Sequence, residues 1–264
     1  MNKLILGLAI TALTFTACKK KEIEPVVTPT TTSSEKGVLI GTQTTSANET
    51  VVLYADRSDL QSGYNNFYIK LTDASGAIIT TASIDLVPMM DMTTMTHSCP
   101  VEQPVYNTAS KKYEGSVVFT MSSMGGTWTV EMTVNGNQVI FPITVAEPAT
   151  KIVGSYSGTD GEKYIISLIQ PITWKVGLND IEIMINRKET MMSFPADNDF
   201  EVIMTPEMPS MGHGSPNNVS PTLIGNGRYK GVVNYTMTGD WRLHFELKKA
   251  GTTIHSDAYL DILF

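Results

Sequence analysis

The sequence predicts an all-β chain that carries the same sandwich-type domain twice. Three observations support this. After Gly37 the chain is a series of short runs alternating in polarity, punctuated by Gly, Asn and Pro. No amphipathic helix of useful length interrupts them. A set of residues met in the first half returns in the same order in the second. Alternation with a period of two sends every second side chain to one face, as a half-buried strand requires.

The chain opens with a short basic start, Met1-Asn2-Lys3, followed by an apolar and small-residue run from Leu4 to Ala17. A membrane-spanning helix needs about 20 apolar residues, so this run has the length of a secretory leader instead. It stops at Phe15-Thr16-Ala17-Cys18 and turns polar with Lys19-Lys20-Lys21-Glu22. Small residues before a Cys resemble a bacterial lipobox, with Phe15 in place of the usual aliphatic residue. The resemblance implies that residues 1–17 are removed and that Cys18 is lipidated. It also implies an outer-membrane anchor, with Lys19 to Lys21 pointing to the periplasmic face. An ordinary signal peptide with an incidental Cys is the plainer reading. Residues 18–37, with the low-complexity stretch Pro25 to Ser34, read as an extended tether.

Val51 to Tyr54, Phe67 to Leu71, Val117 to Met121 and Trp128 to Val134 read as strands. Asn135-Gly136 predicts a hairpin into Val139–Val145. The first domain is expected over 38–148 and the second over 149–264, with the joint near Glu147-Pro148-Ala149-Thr150.

The repeat is explicit. Met92-x-x-Met95-x-His97-x-x-Pro100 returns 116 residues later as Met208-x-x-Met211-x-His213-x-x-Pro216. Tyr113-x-Gly115 meets Tyr229-x-Gly231, and Phe119-x-Met121 meets Tyr235-x-Met237, at the same displacement. Trp128 meets Trp241 at 113, which places three extra residues in the first copy around Ser122 to Gly126. Gly63-x-Asn65 parallels Gly177-x-Asn179 upstream. Each copy has the size of a seven-stranded immunoglobulin-like sandwich.

Lipidating Cys18 leaves Cys99 as the only other thiol, so the domains are expected to stand on their cores without an intramolecular disulfide. A net charge of -7, with no Lys/Arg cluster beyond Lys19 to Lys21, argues against nucleic acid as a partner. The unusual count is methionine. Of 15 residues, four lie between Met89 and Met95 and three between Met204 and Met211. No nucleophile elbow, HExxH, EF-hand or P-loop pattern is present, and the expectation is a binding protein, not an enzyme.

Thioether sulfur is a soft, neutral donor suited to Cu(I) or Ag(I). Two Met with one imidazole make a mixed set for such an ion. The candidate ligands are Met92, Met95, His97, Cys99 and Met121 in the first copy, and Met208, Met211, His213 and Met237 in the second. Residues i and i+3 of a regular strand face opposite ways, so Met208 and Met211 converge only across a bend. Pro209, Gly212 and Gly214 supply one. Cys99 is the softest donor of the first set if it is accessible. Asp91 and Glu207 flank the loops in matching places and could orient an imidazole, although exposed carboxylates beside a turn are commoner. Met121 and Met237 end strand-like runs whose face should be core, where Met as adaptable filler is the plain reading. Trp128 and Trp241 likewise read as core, the sharper reading being a cation–π cap on a bound ion. The plain reading of both loops is a Met-rich hydrophobic turn with a surface His. Zinc fits less well, with one His per copy and no Cys pair.

A Gly-x-Asn strand, a Met-Pro-x-Met-x-His loop, Tyr-x-Gly, aromatic-x-Met and Gly-x-Trp, in that order, resemble the FixH/YtkA-like family of exported bacterial β-sandwich domains. The second copy carries the pattern most fully, through Met208 to His213, Tyr229, Gly231, Met237, Gly239 and Trp241. The first departs at Thr93, Thr96 and Cys99. The resemblance implies copper handling, with a copper transporter or an oxidase-assembly protein as partner. The rival expectation is a surface adhesion module that binds a protein or glycan, with the Met loops as hydrophobic contacts.

Overall fold

The computed structural model describes residues 36–264. The leader, Cys18 and all but the last two tether residues lie outside the described residues. The chain is all-β. The first half contains β1 (Val38–Thr44), β2 (Thr50–Ala55), β3 (Gly63–Thr72), β4 (Ile84–Asp91), β5 (Thr96–His97), β6 (Val101–Asn107), β7 (Lys112–Phe119), β8 (Thr127–Val134) and β9 (Asn137–Ile143). The second contains β10 (Val153–Ser157), β11 (Lys163–Gln170), β12 (Gly177–Lys188), β13 (Glu201–Met208), β14 (His213–Gly214), β15 (Val219–Gly225), β16 (Arg228–Tyr235), β17 (Asp240–Lys249) and β18 (Thr252–Leu263).

The two halves have one topology. Sheet β1-β2-β3-β7-β6 faces β5-β4-β8-β9, and β10-β11-β12-β16-β15 faces β14-β13-β17-β18. Setting β1 aside, β2-β3-β7-β6 over β4-β8-β9 is the ABED-over-CFG arrangement of an immunoglobulin sandwich, with β5 as a short C′ strand. The chain is two tandem immunoglobulin-like sandwiches. Each has its own core. Phe67, Ile69, Phe119, Trp128 and Met132 belong to the first; Ile183, Tyr229, Tyr235, Trp241 and Phe245 belong to the second.

Several repeated motifs are structural fixtures. Gly63 and Gly177 take φ +113 and +98, where a side chain would be strained. They turn the chain so that Asn65 Nδ2 donates to the carbonyls of Gln61 (2.8 Å) and Gly63 (2.9 Å), as Asn179 does to Lys175 and Gly177. The Tyr of Tyr-x-Gly pins the loop that leads into the C strand. Tyr113 Oη accepts from Ala82 N and donates to the Ile79 carbonyl, and Tyr229 Oη does the same with Phe200 N and the Asp197 carbonyl. The Asn135-Gly136 hairpin forms with φ of 49 and 84. Val117 to Met121 is shorter as a strand than expected: β7 ends at Phe119 and Met121 lies beyond it.

The sandwiches pack on each other. Val118 of the first meets Ile165, Ile169 and Met184 of the second, with Tyr64, Val153 and Phe194 against the same cluster. Beside this patch Arg228 reaches across to form a bidentate pair with Glu102, at 2.9 Å from Nε and 2.6 Å from Nη2. It also donates to Tyr64 Oη and holds Glu182 of its own sheet at 2.7 Å. Ser98 N–H donates to the Met191 carbonyl at 2.8 Å, joining the segment after β5 to the β12–β13 connection.

Candidate functional site

The C, C′ and F strands bring the same three side chain types into one row in each sandwich. In the first, Met90 on β4 is the cross-strand partner of both His97 on β5 and Trp128 on β8. In the second, Met208 pairs with His213, and the β13–β17 ladder runs to Glu207↔Arg242, which sets Met208 alongside Trp241. All three positions point inward, since Met90, His97, Trp128, Met208 and Trp241 are buried and His213 is half-buried.

This register corrects the alignment of the loops. Matching by displacement equates Met92 with Met208, but the ladder makes Met90 the counterpart of Met208. The first loop therefore has two more residues between the strand Met and its His. Thr93 at φ 69 helps turn the longer loop, and Gly212 at φ 63 the shorter. Asp91 and Glu207 are accordingly not equivalent. Asp91 Oδ1 accepts from Thr93 N, closing a local turn, and Glu207 sits 3.0 Å from His244 Nε2. Neither carboxylate is hydrogen-bonded to a loop imidazole among the described residues. His244 is held between Glu207 and Asp257 on the outer face of the sheet.

The imidazoles are oriented identically. His97 Nδ1 meets the Ser98 carbonyl at 2.8 Å and His213 Nδ1 meets the Gly214 carbonyl at 2.9 Å. A carbonyl only accepts, so Nδ1 carries the proton in each neutral ring and Nε2 keeps its lone pair. Each ring stands edge-on to its Trp, at 5.5 Å for His97–Trp128 and 5.7 Å for His213–Trp241. Trp128 Nε1 donates to the Met121 carbonyl (3.1 Å) and Trp241 Nε1 to the Met237 carbonyl (3.0 Å), which ties the main chain of each Met to the indole.

The thioethers divide into two groups. In the first sandwich the methyl carbons of Met121, Met92 and Met90 lie 2.7, 3.8 and 3.9 Å from where a Cβ on Gly125 would stand, so three thioethers end around one glycine. Gly125 closes the 3-10 turn Ser123–Gly125, which is the three-residue insertion read from the sequence. At the Gly of Gly-x-Trp, an added Cβ would fall 3.1 Å from Met90 Cε at Gly126 and 2.2 Å from Met208 Cε at Gly239. The Gly of Gly-x-Trp is thus the space the strand Met occupies. Met95, Met124 and Met211 instead stand at the surface, 51%, 92% and 59% exposed. Met237 is 38% exposed, whereas Met121 is packed partly against the core.

Cys99 departs from the expectation of an accessible soft donor. It is buried in the first core, and burial pushes its thiol well above the ordinary value, which disfavours the thiolate. Alkylating reagents are therefore expected to label Cys99 only after denaturation. Rapid labelling of the native chain, followed by mass spectrometry, would show the side chain to be reachable.

Among the described residues, no three His, Cys, Asp or Glu side chains group to hold a metal ion. No helix of the described residues is long and apolar enough to cross a membrane.

No family model and no curated protein matches the chain. Among solved structures it is similar to the Escherichia coli adhesin FdeC, with 13% identity over 84% of this chain and 66% of that one and a TM-score of 0.28. It is also similar to the Yersinia pseudotuberculosis adhesin InvE, with 13% identity over 84% and 60% and a TM-score of 0.30. A third similarity is to the titin domains Z1Z2 in complex with telethonin, with 9% identity over 76% and 86% and a TM-score of 0.19. The chain spans under two thirds of either adhesin chain. Similarities of this size carry no argument about function.

Proposed function

We propose that this is a lipid-anchored envelope binding protein whose working surface is the Met/His/Trp end of each sandwich, and whose ligand is Cu(I) or Ag(I). The observation that carries the reading is the duplicated imidazole geometry, with Nδ1 tied to the next carbonyl, Nε2 left with its lone pair, and thioethers on the adjoining strand and turn. Neutral sulfur and imidazole donors match a soft monovalent cation better than a hard one. Met90, Met92, Met121 and His97 would hold the ion in the first sandwich, and Met208, Met237 and His213 in the second. Their neutral bonds suit handover by ligand exchange, and the resemblance to FixH/YtkA-like domains makes a copper transporter or oxidase-assembly protein the fitting partner. The Cys18 lipid would hold the protein at the outer membrane, on its periplasmic face.

Competition against a Cu(I) chelator tests this on the full chain. Two equivalents are expected to bind. His213→Ala combined with Met208→Leu, which keeps the core filled, should weaken one of them by about 10- to 100-fold or more, since even outer partners of a metal ligand act on that scale. Unchanged affinity in that variant means that the site is misassigned.

The exposure of Met95, Met124 and Met211 favours a second reading, a contact surface for a protein or glycan at the same end. It is distinguished by a wild-type chain that binds no soft cation but loses attachment to its partner when these three residues become Ser.

A further inference from the structure

The two sites are equivalent in their own strands but not in their surroundings. His97 is 8% exposed, whereas His213 is half-buried although its strand, its Trp neighbour and its carbonyl bond are the same. The adjoining residue, Ser98, is itself buried and donates its N–H to the carbonyl of Met191, 2.8 Å away. Met191 and Met192 occupy the tip of a turn in the β12–β13 connection, closed by Glu189 N–H to the Ser193 carbonyl (3.0 Å) and braced by Met192 N–H to Thr190 Oγ1 (3.0 Å). These side chains are 36% and 50% exposed, so neither sulfur is sequestered in a core. The main chain of a methionine pair from the second sandwich is thereby fixed one residue from His97 of the first.

We infer that the first soft-cation site is composite, with the Met191–Met192 turn of the second sandwich supplying a further thioether to the ion held at His97. This rests on the soft-cation reading above and adds a consequence to it. The site at His97 is complete only when the sandwiches are docked, and it then holds its ion more tightly than the site at His213. Backbone pairing between Ser98 and Met191 sets the reach, and a methionine side chain is long and flexible enough to use it. No corresponding turn is hydrogen-bonded to the segment after β14 among the described residues.

The test uses Ag(I) titration of the full chain in two backgrounds. His213→Ala leaves the first site to be read alone, and His97→Ala leaves the second. Introducing Met191→Leu with Met192→Leu keeps the apolar volume and removes both sulfurs. In the His213→Ala background the pair is expected to weaken binding by about 10-fold or more, the scale of outer partners being a lower bound for a donor. In the His97→Ala background it should change nothing. Equal affinity with and without the pair in the first background overturns the inference while leaving two histidine-dependent sites intact. A wild-type chain that binds no Ag(I), or whose binding survives loss of both histidines, overturns the parent reading instead. Small-angle scattering on the Leu variant checks that the sandwiches remain docked, so that a fall in affinity reports lost sulfur.

Discussion

Replacing Arg228 by Met is expected to uncouple the two sandwiches, at a cost of about 2–3 kcal/mol. Breaking a buried pair by removing one partner costs about 3–5 kcal/mol, and this pair is still partly wetted, with about a quarter of each side chain exposed. Without the guanidinium, Glu102 and Glu182 face each other across the interface, and Glu102 retains only Ser116 and Tyr64 as hydrogen-bond donors. Calorimetry should then resolve two unfolding transitions where the wild type has one. A single unshifted transition would mean that the apolar patch around Val118 and Met184 holds the sandwiches unaided.

The same cluster sets a pH dependence. Burial alone would raise the Glu102 carboxyl, but bonds from Arg228, Ser116 and Tyr64 outweigh it and leave the value lowered. A carboxylate lowered on folding contributes stability that is present above its unfolded value, about pH 4, and lost as the pH falls through the folded value. Acidification below the ordinary carboxylate range should therefore weaken docking in the wild type and much less in Arg228→Met. Burial likewise pushes Tyr64 up to about 12, so the phenol stays protonated and keeps donating to Glu102 across the neutral range.

Gly231→Ala is the second large effect. The added Cβ would lie 2.5 Å from the Val219 carbonyl and 2.8 Å from Pro221 N, and its counterpart at Gly115 would lie 2.6 Å from the Glu102 carbonyl. These obstacles are backbone, so no rotamer change relieves them. Overpacking typically costs about 1–3 kcal/mol, occasionally more, and a clash with main chain belongs at the upper end. The irregular register between β15 and β16, shifted between Val219 and Thr222, is the part expected to separate. Chemical denaturation should show a lowered midpoint, and amide exchange should be fastest in β15. An unchanged midpoint would show that the edge strand can shift aside at no cost.

Much of this architecture was legible in the residues. Alternating polarity located the strands, and the repeated Gly-x-Asn, Tyr-x-Gly and Gly-x-Trp groups marked positions where the backbone itself imposes the residue type. Those motifs proved to be a turn lock, a close strand approach and the space for a methionine. The imidazole–indole pairing was legible only as residue types, because the contact depends on register. Register also defeated the loop alignment. Matching by spacing favours identical intervals, and a two-residue lengthening between Met90 and His97 leaves a second Met, Met92, where the first interval predicts it. The burial of Cys99 was hidden for a similar reason, since a two-residue strand gives no alternation from which to read a face. Nothing in one dimension brings Met191 to Ser98, 93 residues earlier in the chain.

The two-residue strands β5 and β14 have a consequence for chains crowded together. They cover only the last two residues of β4 and β13, and ahead of them the Leu86 N–H and carbonyl are both met by the Gln103 amide, at 2.8 and 2.9 Å, while Met204 N–H donates to Ser220 Oγ at 3.0 Å. A bare edge of this kind would invite another chain to join sheet to sheet. Here side chains from the facing sheet occupy part of it.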